Sequence, residues 1–309
     1  MATKNNDRGP DLMSKYVWLI NTIYRAKRIS YNDLNERWKR DKGISRGSEL
    51  PKRTLKRWFN TIEALFGIDI INERSGNYCY YIENIENIDD GGLQAWLFNT
   101  FTVSNALTGC MSIKDRIQLE YVPSGDLYLQ PIIDAMKENR VINLTYKSYS
   151  SVTEKNYDVQ PLCLKLFRKR WYVIVTDTEK TWICALDRIL ALQKTEQFFT
   201  MPKNWNAESY FDGFIGSIRN MNHEKEIVKL KVNADQANYI RDLKIHKSQQ
   251  EAECNSEYSI FTYFLRPTFD FQQELLWNAD KVEVLEPKWF RDEMADLIKN
   301  MSTLYEEDN

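Results

Sequence analysis

The sequence predicts a multidomain α+β protein. At 309 residues the chain exceeds what one hydrophobic core usually organises. Its apolar residues recur at helical spacing up to about residue 140, and short strand-like segments follow. Charge is also unevenly divided between a basic N-terminal segment and an acidic remainder. These observations together predict domains of different architecture along one chain.

The formal net charge of −2 conceals a strong asymmetry. Residues 1–80 contain 16 Lys and Arg against 9 Asp and Glu, whereas the rest of the chain contains 26 against 35. A basic head on an acidic body is typical of proteins that bind nucleic acid through one domain. A chance distribution of solvated charges is the alternative, and the placement of the basic residues decides between the two.

Residues 1–83 are predicted to form a winged helix-turn-helix domain. Apolar spacing predicts a helix over 11–26, and Ser30 is expected to cap a second helix that Gly43 ends. A third helix is expected to have Pro51 at its first position. Its predicted apolar stripe consists of Leu55, Trp58, Phe59, Ile62, Leu65 and Phe66. Two short apolar runs around Ser-Gly-Asn then predict a hairpin.

The other face of the third helix carries the residues expected to contact DNA. Basic and amide side chains near the N-terminus of such a helix suit a reader of the major groove. Arg74, near the tip of the hairpin, is placed to reach a phosphate. An amphipathic helix with a merely solvated basic face is the alternative. The predicted DNA-binding residues are Lys52, Arg53, Thr54, Lys56, Arg57, Asn60 and Arg74.

Residues 84–140 are predicted to be a helical linker or dimerisation region. The aromatic side chains of Trp96, Phe98 and Phe101 suggest packing surfaces there. Contacts between two subunits and a core within one chain explain them equally well at this stage.

Residues 141–200 are predicted to form a ligand-sensing β domain. Four or five short strands without long intervening helices favour a strongly bent antiparallel sheet or open barrel. Strand alternation predicts that Trp171 is buried and Tyr172 is exposed. The run from Lys165 to Arg170 holds four basic residues and no acid, which suggests an anionic ligand. A structural salt bridge between Asp187 and Arg188 is the alternative for that pair.

Forked guanidinium donors, hydroxyls and aromatic faces are the groups that recognise phosphate and bases. The predicted ligand-binding residues are Tyr146, Lys147, Ser148, Arg168, Arg170, Tyr172 and Arg188.

Several motifs in this segment resemble the WYL-domain family of bacterial regulators. The matching stretches, in chain order, are Ile142-Asn143-Leu144-Thr145-Tyr146, Val159-Gln160-Pro161-Leu162, Arg170-Trp171-Tyr172-Val173 and Ala185-Leu186-Asp187-Arg188-Ile189. A fifth stretch, 281–287 followed by a helix, resembles the family's C-terminal extension. The resemblance implies an Sm-like β-barrel sensor behind a winged helix-turn-helix, in a homodimer, with a nucleotide or nucleic-acid-like effector. The sequence departs from the family where Val173 replaces Leu, and where Lys165-Leu166-Phe167 and Arg168-Lys169 replace the usual small turn before the Trp.

Residues 201–223 are predicted to be a connector, and residues 224–309 a C-terminal extension domain. Strands and helices alternate there, with strands expected in the segments IVKLKV, YSIFTYFLR and KVEVL, which suggests a ferredoxin-like α+β module.

Taken together, the sequence predicts a ligand-responsive, DNA-binding transcription regulator, a repressor in the cytoplasm. No nucleotide-binding, metalloprotease, hydrolase or deaminase motif occurs in the sequence, so no catalytic residue, metal site or cofactor is expected. The five cysteines form no CxxC pair, and the two histidines lie 23 residues apart. A protein that acts on RNA or single strands, or a nuclease-associated effector, is the alternative.

Overall fold

The computed structural model describes residues 9–73, 78–89, 92–108, 115–118, 120, 125–149, 151–218 and 223–306. The chain divides into two compact units, residues 1–119 and residues 120–309. The segment 84–140, predicted as one region, therefore contributes to both. Helices and several sheets occur along the chain, which confirms the mixed α+β class. None of the described helices is long and apolar enough to cross a membrane.

The N-terminal unit has the expected order of helices followed by a hairpin. Its elements are α1 (Gly9–Ala26), β1 (Ile29–Ser30), α2 (Tyr31–Arg40), α3 (Lys42–Ser45), α4 (Lys52–Phe66), β2 (Ile70–Asn72), β3 (Cys79–Ile82), α5 (Glu86–Asp89) and α6 (Leu93–Thr108). Strands pair in the order β1-β3-β2, all antiparallel. The two-residue strand β1 and the single-turn helix α3 lie outside the sequence prediction, because neither is long enough to show a periodicity.

Local capping explains where α2 begins and ends. The Ser30 hydroxyl accepts a hydrogen bond from the backbone N–H of Asp33 and donates one to its carboxylate, so the predicted cap is confirmed. The prediction that Gly43 ends this helix is wrong. The helix ends at Arg40, since the Asp41 carboxylate accepts the N–H of Ile44 at 3.3 Å and starts α3 instead.

The core of this unit is built on α4. Four members of its predicted stripe, Leu55, Trp58, Ile62 and Phe66, are buried, and Phe59 packs against them, but Leu65 is 44% exposed. Pro51 caps the helix rather than occupying its first turn. The Phe66 ring meets Phe98 and Phe101 edge-on, with centroids 5.9 and 5.8 Å apart. Phe98 therefore belongs to the intrachain core, while Trp96 and Phe101 are each 38% exposed.

The first part of the second unit is a bent five-stranded sheet with short helices around it. Its elements are a 3₁₀ helix (Asp126–Tyr128), α7 (Leu129–Glu138), β4 (Arg140–Tyr146), β5 (Lys155–Phe167), β6 (Arg170–Thr176), β7 (Thr181–Ala185), a 3₁₀ helix (Leu186–Arg188), β8 (Ile189–Phe198) and α8 (Ala207–Tyr210). Antiparallel strands follow the order β7-β6-β5-β4-β8. Over the described residues the edge strands β7 and β8 do not pair with each other, so the sheet is an open one.

The second part of this unit is a four-stranded antiparallel sheet with helices after its first, third and last strands. Its elements are β9 (Glu226–Asn233), α9 (Ala234–Asp242), β10 (Gln250–Cys254), β11 (Tyr258–Leu265), α10 (Phe269–Trp277), a 3₁₀ helix (Ala279–Lys281), β12 (Val282–Glu286) and α11 (Lys288–Thr303). The strand order is β10-β11-β9-β12. This is the βαββαβ element order of the split βαβ motif. The sequence prediction missed β10 because all five of its residues are exposed and only Ala252 and Cys254 are apolar.

Gly125→Ala is expected to destabilise the second unit. Gly125 has φ +76°, and a Cβ there would lie 2.4 Å from the Leu186 Cβ and 2.5 Å from the Asp187 backbone nitrogen. The strained dihedral and the clash together should cost about 2–4 kcal/mol in urea unfolding of the full chain.

Gly47→Ala is the matched control. Gly47 has φ +79° but open space around its Cβ position, so only the dihedral penalty of about 1 kcal/mol applies. Equal losses in the two variants would show that the chain at Gly125 does not pack against the 186–188 helix.

Candidate nucleic-acid interface and effector cleft

The basic face of α4 is exposed along its whole first half. Lys52, Arg53, Lys56, Arg57 and Asn60 are all exposed, and Thr54 is half-buried with its hydroxyl donating to the Pro51 carbonyl at 2.9 Å. Positions 53, 56, 57 and 60 follow the i, i+3, i+4, i+7 spacing of one helix face. That face lies opposite the buried apolar stripe of α4, so packing of the apolar residues into the core leaves the basic residues exposed.

Most of these cations form no ion pair with another described residue, so their charge is available to an external partner. Among the described residues, no carboxylate pairs with Arg53, Lys56 or Arg57. Lys52 sits 4.7 Å above the ring of Tyr31. Arg28, by contrast, is neutralised by Glu73 at 2.9 Å. Predicted Arg74 lies outside the described residues.

The turn between β5 and β6 explains the family departure at Arg168-Lys169. Both residues have positive φ, 47° and 64°, and Phe167 pairs with Arg170 across them. Positive φ at both central residues is the type I′ geometry that suits the twist of a hairpin. Both side chains therefore project from a hairpin tip, where both are exposed.

The basic run 165–170 has no acid within it, but three of its cations have acidic partners elsewhere in the chain. Arg168 pairs with Glu274 at 2.5 Å, and Lys169 pairs with Glu120 at 2.9 Å. The ammonium of Lys165 lies 3.7 Å from the Phe211 ring centroid, and burial lowers the pKa of Lys165 to about 8. The partners come from distant parts of the chain, which local sequence does not reveal.

Arg170 is held by Asp187, not left for a ligand. Their side chains, 28% and 10% exposed, form an ion pair, so the alternative pairing of Asp187 with Arg188 is wrong. The register of β6 and β7 explains why Asp187 pairs with Arg170. Tyr172 pairs with Ala185 across β6 and β7, and continuing that register brings residue 170 opposite residue 187.

A concave cleft of about 390 Å³ lies beside this pair, at the ends of β4, β5 and β7. Three predicted residues line it, while Lys147, Arg168, Arg170 and Tyr172 do not. Trp171 and Tyr172 are both half-buried, so the predicted contrast between them is also wrong. The lining residues are Tyr146, Ser148, Ser151, Lys155, Tyr157, Trp182, Ile183 and Arg188.

The sequence analysis did not predict five of the lining residues. Strand register explains how two of them, Lys155 and Tyr157, reach the cleft. In the β4–β5 pair Tyr146 lies opposite Lys155, and Leu144 opposite Tyr157. Pairing the WYL-like first strand with the segment 155–159 would have brought Lys155 and Tyr157 to the site. No sequence signal identified Ser151, Trp182 or Ile183.

The cleft presents hydrogen-bond donors and aromatic faces, and no carboxylate among its described lining residues. The Arg188 Nε is buried without a hydrogen-bond partner in the described structure, and its guanidinium lies 4.0 Å from the Tyr149 ring centroid. The Tyr146 hydroxyl accepts the Ala185 N–H at 3.2 Å, and burial raises the pKa of Tyr146. Its proton is therefore retained and can be donated.

An aromatic pair forms another part of the cleft lining. The rings of Tyr157 and Trp182 lie 5.6 Å apart at 59°. Such faces stack a planar group, while the guanidinium of Arg188 and the ammonium of Lys155 suit an anion. The arrangement fits a ligand that combines a flat ring with negative charge.

Arg170→Ala is expected to lower the free energy of unfolding by about 2 kcal/mol, because Asp187 loses the partner of a largely buried carboxylate. Arg168→Ala is the control. Its pair with Glu274 is 48% and 31% exposed, so its loss should cost under about 1 kcal/mol in the same urea titration. Similar costs for both variants would contradict a structural role for the Arg170–Asp187 pair.

Two domain families match the sequence. Residues 128–194 match the WYL domain, and residues 224–302 match the WCX domain. The WYL match includes α7 as well as the strands, and the WCX match covers the four-stranded sheet and most of α11. A comparison with curated proteins gave no match.

Two solved structures are similar over most of the chain. One is proteasome accessory factor B/C (PafBC) of Arthrobacter aurescens, with 18% identity, a TM-score of 0.36, and coverage of 93% of this chain and 46% of that one. The other is described as a CRISPR Cas-related protein, with 10% identity, a TM-score of 0.39, and coverage of 99% and 87%. This chain thus spans less than half the length of the first. The two matches show that the chain carries a WYL domain followed by a WCX domain.

Proposed function

We propose that the protein is a ligand-responsive, DNA-binding transcription regulator. The observation that carries the proposal is the face of α4, where Arg53, Lys56 and Arg57 are exposed and have no ion-pair partner among the described residues. Three guanidinium or ammonium groups on one helix face repel each other unless an external anion offsets them. Duplex DNA offers a regular array of such anions along its backbone.

In this proposal α4 lies in the major groove and the β2–β3 hairpin lies against the backbone. Arg53 and Arg57 supply forked donors for phosphate or guanine, and Asn60 supplies an amide for adenine. Lys52, Thr54 and Lys56 contact phosphates, as does Arg74 at the hairpin tip. The protein acts as a repressor, with its effector setting its DNA affinity.

The cleft at the ends of β4, β5 and β7 is proposed as the effector site. Arg188, Tyr146 and Ser148 bind the phosphate of a nucleotide or short oligonucleotide, and Lys155 adds charge. Tyr157 and Trp182 stack its base. Arg170 acts indirectly, since it holds Asp187 in the 3₁₀ helix that also carries Arg188.

A homodimer on a pseudo-palindromic site completes the proposal. One winged helix offers a small DNA interface, and two half-sites spaced by about one helical turn supply the missing affinity. Helix α6 contains no charged residue and exposes Leu93 and Val103 by 68% and 57%. Such a surface suits contact with a second copy.

Arg53→Gln/Arg57→Gln is expected to weaken binding to a selected duplex at least about tenfold. If both side chains contact phosphates, the slope of log K against log salt should also become shallower by about 1.8. Fluorescence anisotropy over a salt series measures both quantities.

Lys288→Gln/Lys299→Gln on α11 is the charge-matched control, because both residues are exposed and outside the N-terminal unit. Duplex affinity and salt slope should stay at wild-type values in it. If this control weakened binding as much, affinity would reflect net charge rather than a face of α4.

Arg188→Gln is expected to abolish the effect of a 5′-phosphorylated tetranucleotide on duplex binding, while binding without the tetranucleotide stays unchanged. The reason is the loss of the guanidinium in the cleft. Arg168→Gln, at the hairpin tip away from the cleft, should respond like the wild type. The reverse result in an anisotropy competition would move the effector site to the β5–β6 turn.

A further inference from the structure

A second concave site lies within the N-terminal unit and outside the proposed DNA face. A cleft of about 850 Å³ opens between α1, α2, α3 and α6. Four cations line it, Arg25, Arg37, Arg40 and Lys42, against one carboxylate, Asp41. No residue of α4 or of the β2–β3 hairpin is among the described lining residues. The cleft is therefore not a continuation of the surface proposed to bind DNA.

The charges of this cleft are not offset within the chain. In the part of the chain that the structure describes, none of the four cations forms an ion pair. Their neighbour Lys39 contrasts with them, since it pairs with Glu36 at 2.9 Å and approaches Glu49 at 3.7 Å. The carboxylate of Asp41 already caps α3 through the Ile44 N–H. The lining thus carries an excess of three positive charges.

Helix electrostatics explains only part of this arrangement. Arg25, Arg37 and Arg40 lie in the last turns of α1 and α2, where a cation stabilises the helix by a few tenths of a kcal/mol. Lys42 begins α3, where the helix dipole disfavours a cation. Helix stability therefore does not explain why all four cations meet at one concavity.

Polar groups without charge add to the evidence for a ligand. The Thr102 hydroxyl is buried and has no hydrogen-bond partner among the described residues, although Thr102 lines the cleft. A buried hydroxyl without a partner is unfavourable, so a rotation of this side chain toward a ligand oxygen in the cleft would be favoured. Asn21 and Thr22 provide further donors from α1. These donors and the cations together suit an anion rich in oxygen.

We infer that this cleft is a binding site for a small polyphosphate with three or four negative charges. The excess of three positive charges sets the ligand charge, and forked guanidinium groups from α1 and α2 suit phosphate oxygens. A volume of about 850 Å³ accommodates a ligand as large as a nucleoside triphosphate. This inference goes beyond the proposed function, because it adds a second anion site in the unit that carries the DNA face.

The test is isothermal titration of the full chain with tripolyphosphate, with sulfate at matched ionic strength as the reference anion. The wild type should bind tripolyphosphate saturably, and Arg25→Gln/Arg40→Gln should lose at least about tenfold in affinity. Arg53→Gln/Arg57→Gln and the exposed pair Lys288→Gln/Lys299→Gln should bind as the wild type does. A parallel titration of Arg188→Gln with a nucleoside triphosphate, in which the proposed effector cleft lacks its guanidinium, asks whether the site takes the phosphate chain alone or also a base.

Three results would overturn the inference. They are a wild type without saturable binding, an Arg25→Gln/Arg40→Gln variant that binds normally, and loss of binding in Arg53→Gln/Arg57→Gln. Circular dichroism checks that the variants fold. Lys42→Gln, at an exposed position of a single-turn helix, serves if the double variant does not fold, and it should weaken binding at least about threefold. Because no DNA or effector is present, the outcome is independent of the proposed regulator function.

Discussion

The continuous strand β5 is the constraint on which the candidate sensor depends. Its first five residues pair with β4, and its last eight run alongside β6, so one strand belongs to both halves of the sheet. The change of partner near Gln160 and Pro161 bends the sheet. Lys155 and Tyr157 thereby reach the cleft from one end of the strand, while the other end carries the Arg168-Lys169 turn away from it. Register along this strand decides which residues share a site.

Charge pairing then separates the structural cations from those available to a ligand. In the second unit Arg168, Lys169 and Arg170 each have an acidic partner, and these partners lie 106, 49 and 17 residues away in the chain. The Arg188 side chain meets an aromatic ring instead and keeps a buried Nε without an acceptor in the described structure. Among the described residues, acidic side chains thus neutralise Arg168, Lys169 and Arg170, whereas the Arg188 guanidinium faces the cleft without an acidic partner. On α4, by contrast, Arg53, Lys56 and Arg57 are exposed on one face without an acidic partner among the described residues.

Sequence periodicity was informative wherever a local rule governs the structure. The Ser30 cap and the burial of Leu55, Trp58 and Ile62 follow from spacing within one helix, and both are confirmed. The acidic partners of Arg168 and Lys169 could not be predicted from local spacing, because tertiary contacts bring them together from distant parts of the chain. Strand β10 was missed because a polar edge strand buries no face that alternation would reveal. The WYL motifs located the sheet, whereas the side chains that meet in its cleft depend on cross-strand register.

Arg188 connects the cleft to the structural ion pair, because it follows Asp187 in the same 3₁₀ helix. Tyr149 is 78% exposed, and the Arg188 guanidinium lies 4.0 Å from its ring centroid. The hydrogen bond to Asp187 is the main cause that raises the pKa of Arg170. An anion that binds Arg188 competes with the Tyr149 ring for the guanidinium. Displacing Tyr149 leaves the ion pair between Arg170 and Asp187 in place, because that pair does not involve the ring. At the proposed effector site, an anion could therefore displace the Tyr149 ring while Arg170 holds Asp187 in the 3₁₀ helix that carries Arg188. A fixed anchor and a movable ring would give the proposed site the two states that a sensor requires.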